Sequence, residues 1–132
     1  MRAALVIGAV FGLWDCAGDE TASGYGAAGT VWQLSELNGA AFAATATLTF
    51  PEEGRIAGKG PCNRFSGTQA APYPWFDIED IAATRMACPD LAAEERFFTA
   101  LKAMTLIEVA TDTLILSNDA GGEMVFRARG RD

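Results

Sequence analysis

Cys62 and Cys88 are the residues of this chain whose types and spacing leave the most chemistry open. A pair of cysteines can act as nucleophile and helper, bind a metal, form a disulfide, or simply pack as small apolar side chains. Histidine is absent from all 132 residues. That makes a Cys–His catalytic pair impossible. Two thiolates without another soft ligand also make a poor zinc site. No metal and no cofactor is therefore expected, and no catalytic residue is assigned. Two readings of the pair stay open, a disulfide and two neighbouring buried thiols.

Other candidates have plain structural readings beside the functional ones. Asn63 can contact a ligand, but its short amide more often bonds to the backbone of its own turn. Arg64 can anchor a carboxylate partner or form a surface salt bridge. Asp77, Glu79 and Asp80 are crowded acids that could hold calcium, yet they lack the spaced oxygen ligands of a calcium loop. Tyr73, Trp75 and Phe76 form either an exposed aromatic platform or, on the blander reading, a cover for one end of the fold. Arg127, Arg129 and Arg131 give a short basic tail able to touch anionic lipid.

The elements that must position these residues follow from pattern. Gly58 to Gly67 is rich in Gly, Pro, Asn and Ser and reads as a determined turn, folded onto the core through Cys62 and Phe65. Before it, Ala46, Leu48 and Phe50 alternate with Thr45, Thr47 and Thr49, as a strand with one wet face requires. Pro51–Gly54 turns the chain, and residues 55–59 form the return strand of a hairpin, with its glycines suggesting a bulge or sharp bend. Val31–Leu34, the Asn38–Gly39 turn, and strands near residues 67–71, 76–81, 106–109, 113–116 and 123–127 complete an antiparallel set. One helix is expected from Pro89–Asp90 to about Met104. Leu91, Phe98, Leu101 and Met104 lie on its apolar stripe, Phe97 flanks it, and Glu94, Glu95, Arg96 and Lys102 form the polar surface. The fold class is mainly β with some α: a curved antiparallel, barrel-like sheet wrapped around one helix.

Composition bounds the rest. The length suits one domain with a real core. Seventeen acids against ten Lys and Arg give net −7, which disfavours nucleic acid as a partner. Residues 1–15 read as a signal-like segment, with Met1–Arg2 followed by the apolar run Ala3–Trp14. That run is shorter than the about 20 residues a membrane-spanning helix needs. Leu13, Cys16 and Ala17 resemble a bacterial lipoprotein signal with acylation at Cys16, whereas Asp15 departs from it; plain export and a different start remain alternatives. Residues 16–29 read as a flexible tether, and residues 30–132 as the domain.

Taken together, these residues resemble the META/HslJ-like domain family. Trp32, Leu34 and Gly39 match its opening. Gly58, Cys62, Asn63, Phe65 and Gly67 match its Gly-x-x-x-Cys-Asn-x-Phe-x-Gly signature, although Pro61 stands where many members have Gly. Thr84, Met86 and Cys88 match a Thr-x-Met-x-Cys element, a helix with Glu, Phe and Leu follows at Glu94 or Glu95, Phe98 and Leu101, and Leu114, Leu116 and Phe126 match the closing strands. The resemblance implies a barrel-like sheet around one helix, with the two cysteine motifs paired. It also implies a small envelope protein with loose links to stress responses and no established catalytic residues. A non-enzymatic, protein-binding or structural role in the cell envelope is the first expectation, with an envelope protein as partner. Carriage of an apolar ligand inside the barrel is the second, and a small thiol or carboxylate enzyme the third.

Overall fold

The computed structural model describes residues 18–130. Its strands are β1 (Val31–Leu37), β2 (Ala40–Ala41), β3 (Thr47–Thr49), β4 (Arg55–Lys59), β5 (Arg64–Thr68), β6 (Glu79–Ala83), β7 (Leu106–Ala110), β8 (Thr113–Ser117) and β9 (Glu123–Gly130). A single α-helix among the described residues, α1 (Leu91–Ala103), lies between β6 and β7. The sheet runs β6-β5-β4-β3-β1-β9-β8-β7, with β2 paired to β1. It is antiparallel throughout and curves, half-barrel-like, around α1.

The expected hairpin is present with the same return strand: Leu48 opposes Gly58 and Thr49 opposes Ala57. Alternation sends Ala46, Leu48 and Phe50 into the core, although Thr47 is buried as well. The first and last strands pair along most of their length, with Trp32 opposite Ala128 and Leu37 opposite Met124. Two register shifts in that pairing supply local twist of the kind that bends a sheet over a helix. Asn38 (φ 50°) and Gly39 (φ 84°) take the left-handed conformations of a two-residue hairpin turn. The Asn38 side chain then accepts a hydrogen bond from Glu123 N at 2.9 Å.

The helix differs from expectation in which residues face inward. Glu94, Phe97 and Leu101 are its buried residues, and the helix end at Met104 is buried too. Leu91, placed on the stripe by sequence, is exposed, and Phe97, placed beside it, is fully buried. Asp90 holds the N-cap position without a side-chain cap bond. At the other end, Asn118 Nδ2 donates to Ala103 O at 2.9 Å, satisfying a terminal carbonyl.

The described part of residues 16–29 is folded rather than a loose tether. Ala22–Tyr25 form a short 3-10 helix, and Thr21, Ala22 and Ala27 are buried. Asp19 accepts hydrogen bonds from Thr21 N, Thr21 Oγ1 and Ser23 Oγ. Trp32, itself buried, donates its indole N–H to Ala27 O at 2.9 Å. Tyr25 stacks on Tyr73 with centroids 4.6 Å apart. The signal-like segment 1–15 and Cys16 lie outside the described residues.

Trp32→Phe keeps the aromatic packing but strands the buried Ala27 carbonyl. We expect a loss of about 1–3 kcal/mol in urea unfolding of the full-length chain, with faster amide exchange concentrated at residues 21–27.

Candidate functional site

The Gly58–Gly67 stretch is only partly the turn that its composition suggests. Its start belongs to β4 and its end to β5, with the chain reversing between Gly60 and Asn63. Gly60 N donates to Asn63 O at 2.7 Å across that turn. Register is continuous through Gly58, so no bulge forms there. Neither Gly58 nor Gly67 has a positive φ. Their reason is crowding: a Cβ at Gly58 would run into Thr47 O and the Phe65 ring, and one at Gly67 would sit 2.9 Å from Glu79 O.

At the turn, a buried carboxylate gathers three N–H donors. Glu94 Oε1 accepts from Cys62 N at 2.9 Å and Asn63 N at 2.7 Å, and Oε2 accepts from Asn63 Nδ2 at 2.6 Å. Consecutive backbone N–H groups converging on one oxygen form an anion nest, and here the protein's own glutamate occupies it. Glu94 also stands in the first turn of α1, at the positive end of the helix dipole. Gly60 makes the approach possible, because a Cβ there would lie 2.7 Å from Glu94 Oε1.

Asn63 carries the network across to the segment after β6. Its Nδ2 also donates to Met86 O at 3.0 Å, while its Oδ1 accepts from Thr84 Oγ1 at 2.9 Å and Met86 N at 2.6 Å. Both amide protons and both oxygen lone pairs are therefore used. This corrects the expectation that Asn63 serves its own turn. Thr84 Oγ1 in turn accepts from Arg64 N at 3.2 Å. Met86 contributes only backbone, and its side chain is 64% exposed. Phe65 is buried and meets Phe98 edge-on at 5.2 Å and Phe97 at 5.8 Å.

Cys62 and Cys88 form a disulfide with Cα atoms 5.7 Å apart. The open choice between disulfide and free thiols resolves in favour of the bond. Cys62, Asn63, Thr84, Met86 and Cys88 gather at one corner of the fold with Gly58 and Phe65 beside them, while Gly67 lies farther along β5 against Glu79. Glu94 is the residue that sequence reasoning misplaced on the polar surface. Its spacing with Phe97 and Leu101, three and seven residues on, was one available signal, and the family's helix glutamate, matched at Glu94 or Glu95, was the other.

The remaining candidates stay apart from this corner. Phe76 is buried, and Tyr73 packs against the core and accepts Val109 N at its hydroxyl, so this segment covers the barrel end while Trp75 stays exposed. Arg127 and Arg129 lie on β9, donating to Thr113 and Gln33. Among the described residues no group of three or more His, Cys, Asp or Glu is placed to hold a metal ion. Asp77, Glu79 and Asp80 instead crowd one another. A hydrogen bond with Asp77, the Asp77 charge, burial and the Asp80 charge, in that order, raise the Glu79 carboxyl above its ordinary value.

A family model for the META domain matches residues 26–131. The chain belongs to the META domain family. This META domain is similar to a protein from Burkholderia xenovorans solved by NMR, at 24% identity and TM-score 0.64 over 95% of this chain and 100% of that one. It is similar also to a DUF4847-family protein from Bacteroides vulgatus, at 14% identity and TM-score 0.67 over 82% of this chain and 98% of that one. At these identities the likeness is one of fold. No curated protein matches.

Two outcomes test the corner of the META domain. Asn63→Ala and Glu94→Gln should each cost about 2–3 kcal/mol, since each leaves buried polar groups without partners. Their double mutant should lose clearly less than the sum of the two, because they share bonds. Additive losses would show that the two residues act separately. Reduction of the disulfide, which spans 26 residues of sequence, should cost about 2–4 kcal/mol in the same assay.

Glu79 gives a pH signature. The folded chain holds its proton more tightly than the unfolded chain does. Stability therefore falls as pH rises from the unfolded carboxyl value through the raised folded one, and stays lower above it. Glu79→Gln should remove that slope, so the variant's gain over wild type should appear across this window and then level off. A stability difference that does not change with pH would refute it.

Proposed function

We propose that this META domain is a non-enzymatic binding module of the bacterial cell envelope. The observation that carries the reading is that the chemically capable groups of the signature corner are already engaged. Cys62 and Cys88 are bonded to each other, Asn63 uses its full hydrogen-bonding capacity, and Glu94 fills the anion nest of the turn. A thiol enzyme needs a free thiolate, and a carboxylate enzyme needs an accessible base.

The interior supports a surface role over carriage of an apolar ligand. An enclosed carrier needs a pocket of about 300 Å³ or more. Trp32, Phe50, Phe97, Phe126 and the leucines around them fill the space under the sheet. The larger clefts instead open to solvent along α1. A disulfide suits an oxidising compartment outside the cytosol, in keeping with the signal-like start. Cys16, by its sequence context, is the site for a lipid anchor, and an envelope protein is the partner we favour.

Labelled palmitate should enter the wild-type chain in cells and not Cys16→Ser; equal labelling of both, or of neither, removes the anchor. Crosslinking in intact cells should capture a reproducible protein partner. Native mass spectrometry showing a one-to-one lipid complex would replace protein binding with lipid carriage.

A further inference from the structure

The sheet has two ends, and they are treated differently. At the β7 end, Ile107 N donates to Pro74 O at 2.8 Å, Phe76 N donates to Thr105 O at 2.9 Å, and Trp75 bridges to Leu106. That end is covered. At the other end β6 pairs with β5 alone among the described strands. Thr84 N bonds to Arg64 O at 3.1 Å. By the alternation of an antiparallel ladder, Ala83 one residue earlier turns its N–H and C=O to the open edge. The start of β6 is blunted by the charges of Glu79 and Asp80 and by a register shift against β5, whereas Ile81-Ala82-Ala83 carries no charge and no Pro.

Beside this edge lies a cleft of about 430 Å³ between β6 and α1. Ile81, Ala83, Met86, Leu91 and Phe98 give it apolar walls, and Asn63 and Glu94 at its base already have their polar groups engaged. Met86 and Leu91 are 64% and 40% exposed, unusual for large apolar side chains that meet at one place. Arg85 and Lys102 line the same cleft, and exposed Arg64 borders its neighbour across β6. In a chain of net charge −7, a cationic rim over an apolar floor is a local reversal of sign.

We propose that the gap between β6 and α1 is a peptide-binding groove that takes an extended, acidic and apolar segment of a partner protein as an added strand on β6. Backbone bonds to the edge at Ala83 hold the segment. Alternate apolar side chains enter the cleft against Ile81, Met86, Leu91 and Phe98, and acids meet Arg85 and Lys102. The inference rests on the binding-module reading and names its site and the chemistry of its partner.

The probe is a fluorescein-labelled octapeptide alternating Glu and Val, titrated by anisotropy against the full-length chain. Saturable binding is expected, weakened about tenfold or more by Ala83→Pro, which removes the outward N–H while leaving the β5 pairing. The same loss is expected for the peptide N-methylated at alternate bonds, an arm that needs no change to the protein. Arg85→Glu with Lys102→Glu should reverse preference toward a Lys-Val octapeptide. The proposal is overturned by no saturable binding up to about 1 mM, or by N-methylated peptide binding as well as the parent. Sodium dodecanoate shifting the cleft resonances where the peptide shifts none would also overturn it, in favour of an amphiphile. Crosslinked capture separates the two levels: a partner retained equally by wild type and Ala83→Pro sinks the groove but keeps the module, and no partner for either sinks the module.

Discussion

A carboxylate held out of water by three N–H groups is the interaction on which the signature corner depends. Taking Glu94 into the fold costs desolvation, and the bonds from Cys62 N, Asn63 N and Asn63 Nδ2 offset that cost only in one arrangement. The turn must present two consecutive N–H groups, Asn63 must point its amide inward, and α1 must start where its first turn reaches the turn. Asn63 then fixes the Thr84–Met86 backbone, so β5, the segment after β6 and the helix share one set of bonds. The disulfide ties the same two segments by a different route. It acts chiefly by restricting the unfolded chain, whereas the Glu94 network acts in the folded one.

Much of this was legible in the sequence, and the failures have physical causes. The β3–β4 hairpin was readable because period-two alternation, a Pro-Glu-Glu-Gly turn and a return strand all agreed. The cysteine motifs were readable as partners through the family resemblance. Glu94 was not, because charge ordinarily marks the wet side of a helix, and its type outweighed its position relative to Phe97 and Leu101. Only the tertiary structure supplies the donors that make a buried glutamate tolerable.

The glycines and the segment before β1 failed for a related reason. Gly58 and Gly67 were read as makers of a turn, yet both have ordinary strand dihedrals and are needed for close approach to Thr47 O and Glu79 O. Which backbone passes over a given glycine is invisible in local sequence. Residues 16–29 are mostly small and polar, the composition of a tether. Ala22 and Ala27 nevertheless fill narrow gaps in the core, and the Trp32 indole supplies a partner for a carbonyl five residues earlier. Small residues carry little periodic signal, so their burial has to be learned from what they pack against.

The same constraint bears on where function can reside. With the signature groups bonded to one another, the corner rigidifies what lies beside it. The segment from Thr84 to Cys88 is held at its start by Arg64 O, in its middle by Asn63, and at its end by the disulfide. It runs directly on from β6 and forms one wall of the cleft against α1. An edge strand that is fixed before a partner arrives loses less conformational entropy on pairing than a mobile one. The buried glutamate and the disulfide thus order an exposed surface they never present themselves. Most signature residues are in this sense positioning groups, and the groove's walls come from Ile81, Ala83, Arg85, Leu91, Phe98 and Lys102 around them, with Met86 the signature residue that contributes its own side chain.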